Sequence, residues 1–138
     1  MANVIEMEDL MHLKLFESVT KISTRYTFIY NNILFFCVPK IQLSKAIGKD
    51  AVNVKRISSI SKKRVKVLAL PKADNEIKKF IQSIVSPIEF SELEIKPNEI
   101  ILTAGMQNKA SLLGREKRRL KEMEKIIKDY FKKDFKIV

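Results

Sequence analysis

The chain repeats itself. A shift of 66 residues lays Ile47-Gly48-Lys49 on Leu113-Gly114-Arg115, Val54 on Leu120, Ile57 on Met123 and Ile60 on Ile126. Around each glycine the order of predicted elements is the same: hairpin, short helix, glycine break, second helix, strand. A repeat of this kind constrains the architecture before any single motif does. Each β-β-α-α-β copy covers about 60 residues, too few to bury a large core alone. Two such units packed together are therefore expected, in an α+β chain where each small sheet carries helices on one face. The expected division is 1–72, an N-terminal helix and the first unit, and 73–138, the second.

The elements follow from periodicity and turn chemistry. Residues 5–20 place Leu10, Leu13, Phe16 and Val19 at helical spacing, with Glu6, Glu8, Asp9 and Glu17 polar, which predicts an amphipathic helix. Its acidic start suits the helix dipole. Tyr26 to Tyr30 and Ile33 to Val38 are β-rich runs about Asn31-Asn32 and predict a hairpin, ended by Pro39. Leu43 to Ile47 predicts a short helix broken at Gly48. A second helix, Val52 to Ile60, presents Val54, Ile57 and Ile60 inward, and Val65 to Leu70 predicts a strand closed by Pro71. A helix from Asp74 to Val85, capped by Asp74 or Asn75, turns Ile77, Phe80, Ile81 and Ile84 inward. Ile88 to Ile95 predicts a strand, Pro97-Asn98 a turn, and Glu99 to Ala104 the returning strand. Asn108 to Leu113 is a short helix broken at Gly114. Lys117 to Phe131 is a long basic helix with Leu120, Met123, Ile127 and Tyr130 on one face, and Asp134 to Val138 is a terminal strand. That last strand needs about one extra helical turn before it in the second copy.

Charge points to a polyanionic partner. The 138 residues include 27 Lys+Arg against 16 Asp+Glu, a net charge of +11, a balance that suits a polyanionic partner such as nucleic acid and that solubility alone would also explain. Residues 1–73 hold 13 basic and 5 acidic side chains and residues 74–138 hold 14 and 11, so the expectation falls first on the N-terminal half. The longest apolar run, Ile33 to Val38, is too short to span a bilayer, and no charged-then-apolar leader opens the sequence. A cytoplasmic protein without membrane contact is expected.

Catalytic and metal chemistry find little support. The single cysteine, Cys37, lies within the apolar run and reads as a buried small hydrophobe. The single histidine, His12, has no Cys or His partner nearby in sequence, so it reads as structural or surface. No GxxxxGK nucleotide loop is present. Neither an enzyme nor a cofactor is expected. Phe16, Phe28, Phe35, Phe36, Phe80 and Phe90 are expected in the core rather than as stacking platforms.

The glycine breaks carry the functional signal. A short helix, a four-residue loop and a second helix bring backbone N–H groups and a helix N-terminus to one place, which suits an anion. Glycine permits the turn and lets a phosphate approach without a Cβ in the way. Gly48-Lys49-Asp50-Ala51 meets most of these needs, with Lys40, Lys45, Lys55 and Arg56 close in sequence. Glycine is also an ordinary helix C-cap; the second copy at Gly114 and the local basic excess favour the anion site.

The segment Ala46-Ile47-Gly48-Lys49-Asp50-Ala51-Val52-Asn53-Val54-Lys55-Arg56 resembles the GxxG segment of a KH domain. It is similar above all to the archaeal NusA-like transcription factors, which consist of little more than two tandem KH domains. The resemblance runs through Leu15 to Thr20, Val38-Pro39-Lys40, Lys62 to Val67, Phe80-Ile81 and Ser86-Pro87-Ile88-Glu89. It implies type II KH units, α-β-β-α-α-β, that take single-stranded RNA in a groove beside the loop. Gly48, Lys49, Asp50 and Ala51 would contact the RNA backbone. Ile47 and Val54 would line an apolar floor, and Lys40, Lys45, Lys55 and Arg56 would neutralise phosphates. Ala51 stands where the family has its last loop glycine. The second loop, Gly114-Arg115-Glu116-Lys117, keeps only the first glycine, so a degenerate second unit is expected. Its Arg115, Lys117 and Arg118 either hold a phosphate electrostatically or form a solvated helix face. The resemblance thus implies a monomeric, non-catalytic transcription elongation or termination factor that touches single-stranded RNA and RNA polymerase. The alternative is a protein-interaction module that docks to RNA polymerase or a ribosomal partner, its loops vestigial.

Overall fold

A computed structural model describes residues 6–138. The chain divides into two compact units, Met1–Leu70 and Pro71–Val138. The first contains α1 (Met7–Thr20), β1 (Tyr26–Tyr30), β2 (Ile33–Val38), α2 (Leu43–Ile47), α3 (Val52–Ser61) and β3 (Arg64–Ala69). The second contains α4 (Asp74–Val85), β4 (Glu92–Ile95), β5 (Glu99–Thr103), α5 (Lys109–Leu113), α6 (Arg118–Phe131) and β6 (Asp134–Ile137). Both units therefore run α-β-β-α-α-β.

Each unit holds one three-stranded sheet, ordered β1-β2-β3 and β4-β5-β6. Within each, the hairpin pair is antiparallel and the last strand lies parallel to the middle one. The first hairpin closes through Asn31-Asn32, with Tyr30 opposite Ile33. Both asparagines have positive φ, 52° and 63°, the backbone that a two-residue turn of the right twist demands and that Asn tolerates.

In the first unit Leu34, Phe36 and Val38 of β2 pack with Leu13 and Phe16 of α1, Ala46 of α2 and Ile57 of α3. Phe16 stacks on Phe36 with ring centroids 4.5 Å apart. Ile33, Phe35 and Cys37 point to the other face of the sheet and are also buried, with Phe28 stacked on Phe35 at 4.9 Å. A strand buried on both faces reads as an unbroken apolar run, as Ile33 to Val38 does. β5 differs: Ile100 and Leu102 are buried while Glu99, Ile101 and Thr103 are half-exposed. In the second unit Ile77, Phe80, Ile81 and Ile84 of α4 and Met123, Ile126 and Ile127 of α6 are buried. The Phe80 ring lies 6.1 Å from Tyr130 and from Phe131. α6 has 14 residues against 10 in α3, the extra turn that the repeat requires.

Several expectations are corrected. Position 5, the expected start of the first helix, lies outside the described residues; the helix begins at Met7, and Leu10 is exposed. Ile60 is also exposed, because the stripe of α3 that meets the sheet ends at Ile57. Asp74 and Asn75 do not cap α4: Ala73 is the cap residue, and Glu76 reaches back to accept the Lys72 N–H at 2.7 Å. Residues 88–91 are not strand; β4 starts at Glu92. Phe28 and Phe90 are half-buried, not core. Cys37 is buried and free. His12 is half-buried on α1, and its Nδ1 is buried without a hydrogen-bond partner.

Candidate nucleic-acid interface

The two glycine loops share one backbone. Gly48 sits at φ 80°, ψ 165° and Gly114 at φ 78°, ψ 169°, a region open in practice only to glycine. The third and fourth loop residues are left-handed in both copies: Asp50 at φ 56° and Ala51 at 60°, Glu116 at 57° and Lys117 at 59°. This is why the helices break. After the glycine, the chain takes one tight turn through two left-handed residues before α3 or α6 begins.

The hydrogen bonds define what the loop can offer. Gly48 N–H donates to the Ser44 carbonyl (2.9 Å) and Ala51 N–H to the Gly48 carbonyl (3.1 Å), while Val52 N–H donates to Lys49. Two of the loop's four amides are thus spent internally. Lys49 and Asp50, between them, are exposed. The second loop repeats the scheme: Gly114 N–H donates to Ala110 (2.9 Å) and Lys117 N–H to Gly114 (3.1 Å). Asn53 ties the first loop's base together, its Nδ2 donating to the Lys45 carbonyl at 3.2 Å.

Neither glycine tolerates a side chain. A Cβ on Gly48 would lie 2.9 Å from Val52 Cγ1, and one on Gly114 would lie 2.8 Å from the Arg119 backbone nitrogen. The second contact is the stricter, since a backbone atom yields less than a side-chain tip.

Beside the first loop, α3 and the start of β3 enclose an open cavity of about 440 Å³ lined by Val54, Lys55, Ser58, Ser59, Arg64 and Val65. Its lining combines two valines, two cations and two hydroxyls. Ser58 Oγ donates to the Lys63 carbonyl at 2.7 Å, which holds the turn between α3 and β3.

The expected site residues distribute as follows. Lys40, Lys45, Lys49, Asp50, Lys55 and Arg56 are exposed, and Gly48 and Ala51 are half-buried. Val54 and Ile47 are both half-buried and pack against the core, and of the two only Val54 lines the cavity. Gly114, half-buried, and Arg115, Lys117 and Arg118, exposed, belong to the second unit. Sequence reasoning missed Ser58, Ser59, Arg64 and Val65. The available signal was their position, one helical turn beyond Val54-Lys55 and at the first residues of the following strand. Among the described residues, no group of three or more His, Cys, Asp and Glu could hold a metal ion, and no helix is long and apolar enough to cross a membrane.

The fold and the loops define an α+β chain of two repeated, three-stranded units, compatible with KH-like units. Among known proteins, 92 residues of the chain, 67% of its length, are 27% identical to a probable transcription termination protein NusA from Methanococcus vannielii. This similarity supports a NusA-like relationship; the matched stretch spans about half of that relative, 51% of its length. No family model matches the chain. The crystal structure of a protein designated APE1850 aligns over 97% of this chain and 99% of its own with a TM-score of 0.63 at 16% identity, a likeness of fold alone.

Proposed function

We propose that the chain is a tandem type II KH protein that binds single-stranded RNA and acts, without catalysis, as a NusA-like transcription elongation or termination factor. The observation that carries this reading is the Gly48–Ala51 loop, its backbone left-handed at Asp50 and Ala51 and its Lys49 and Asp50 exposed, followed in sequence by a helix that lines an open cavity with Val54, Val65 and the cations Lys55 and Arg64. Backbone N–H groups and a lysine grip the sugar-phosphate strand. Bases lie on the Val54–Val65 floor, where apolar contact needs no sequence-specific partner. The distant relative, a probable transcription termination protein NusA, supports the transcription role.

The first unit supplies most of the affinity. Its loop is flanked by Lys40, Lys45, Lys55 and Arg56, whereas the second loop sets Glu116 against a phosphate. Binding of a short oligouridylate across a salt series tests this. Lys49→Asp should weaken binding about tenfold or more and flatten the salt dependence, while Arg115→Asp should change affinity little. Unchanged binding after Lys49→Asp moves the site elsewhere, and no binding at low salt favours docking to RNA polymerase instead.

A further inference from the structure

The second unit repeats the backbone of the first but not its charge. The positions that carry Lys40, Lys45 and Arg56 in the first copy carry Met106, Ser111 and Glu122 in the second, 66 residues on. The surface there differs accordingly. Two cavities of about 500 and about 310 Å³ flank the irregular connector 86–91, and both are lined by Glu89 and Phe90. Glu89 is the one charged side chain on either lining. Ile88 lines the first, and Met106, 98% exposed, lines the second beside Gln107 and Asn108. Asn108 Nδ2 donates to the Glu89 carbonyl at 2.9 Å and fastens the connector to the turn that bears Met106.

An exposed methionine on the lining of the smaller cavity, which it shares with Phe90, is an adaptable apolar contact. Neutral amides and hydroxyls around it offer hydrogen bonds, and a single carboxylate between the cavities repels a phosphate and attracts an ammonium or guanidinium. We infer that this face of the second unit docks a polypeptide segment of a partner protein, one that places an apolar side chain against Phe90 and Met106 and a Lys or Arg against Glu89. The inference goes beyond RNA binding by the first unit and stands if that reading fails.

Amide chemical shifts of the full chain, titrated with blocked octapeptides, test it. The peptides carry one Leu, Met or Phe between two lysines, with glutamate-for-lysine counterparts and octauridylate as controls. The expected result is saturable shifts at residues 88–91 and 105–108 by a lysine peptide at about 1 mM or below. Met106→Asp and Glu89→Lys, both at exposed side chains, should each weaken that binding about fivefold or more, while octauridylate leaves these residues unmoved. The inference is overturned if no lysine peptide shifts them, if the glutamate peptides bind equally well, or if octauridylate is what moves them.

Discussion

Ala51 and Lys117 sit at φ 60° and 59°, where a Cβ crowds the following carbonyl and costs about 1–2 kcal/mol. Ala51→Gly relieves that strain but adds freedom to the unfolded chain. A net gain of about 0.5–1 kcal/mol is expected, read as a higher urea midpoint. The first loop positions run the other way. Gly48→Ala forces a side chain into a glycine-only region and against Val52, for a loss of about 1–3 kcal/mol. Gly114→Ala should cost more, because its Cβ meets the Arg119 backbone nitrogen at 2.8 Å. Equal losses at the two sites would mean that the second loop relaxes freely. That Gly48 and Gly114 break helices was legible in the sequence, since a lone glycine between two helical patterns has few other uses. That two further residues in each loop are left-handed was not, because alanine, lysine and glutamate do not announce positive φ and only Asp50 is of a type that tolerates it readily.

Helices and strands followed local pattern closely where both ends were punctuated. Asn31-Asn32, Pro39, Gly48 and Pro71 bound their elements by backbone chemistry that acts within a few residues. The exception is the stretch 88–91, where apolar-polar alternation was present but no strand formed. Only Ser91 joins the ladder region, its N–H donating to the Thr103 carbonyl at 2.8 Å; the connector instead walls two cavities. Helical periodicity also named residues that the sheet does not cover. On α3, Ile57 is fully buried while Ile60, one turn on, is 54% exposed. Ile57→Ala should therefore destabilise by about 2–5 kcal/mol, and Ile60→Lys should stay within about 0.5 kcal/mol of the parent. A large loss at Ile60 in denaturant titration would contradict the packing described for α3.

At the scale of the whole molecule, the net charge of +11 decides how the chain meets a polyanion. Lys40, Lys45, Lys49, Lys55 and Arg56 are all exposed around the first loop. If all five sit on phosphates, the slope of log K against log salt for a single strand is about −3.5. A slope near zero in a filter-binding or anisotropy series would show that RNA is not held by these cations. The repeat, the order of α and β elements and the glycine breaks were all determined by the sequence alone, because each depends on backbone preferences and periodicities spanning a few residues. The pairing of β3 alongside β2 in parallel, the choice of Leu13 over Leu10 and Ile57 over Ile60 as core, and the cavity joining Val54 to Arg64 were decided only by the tertiary structure. They depend on how each helix lies across its sheet, and that angle is set by contacts between residues far apart in the chain.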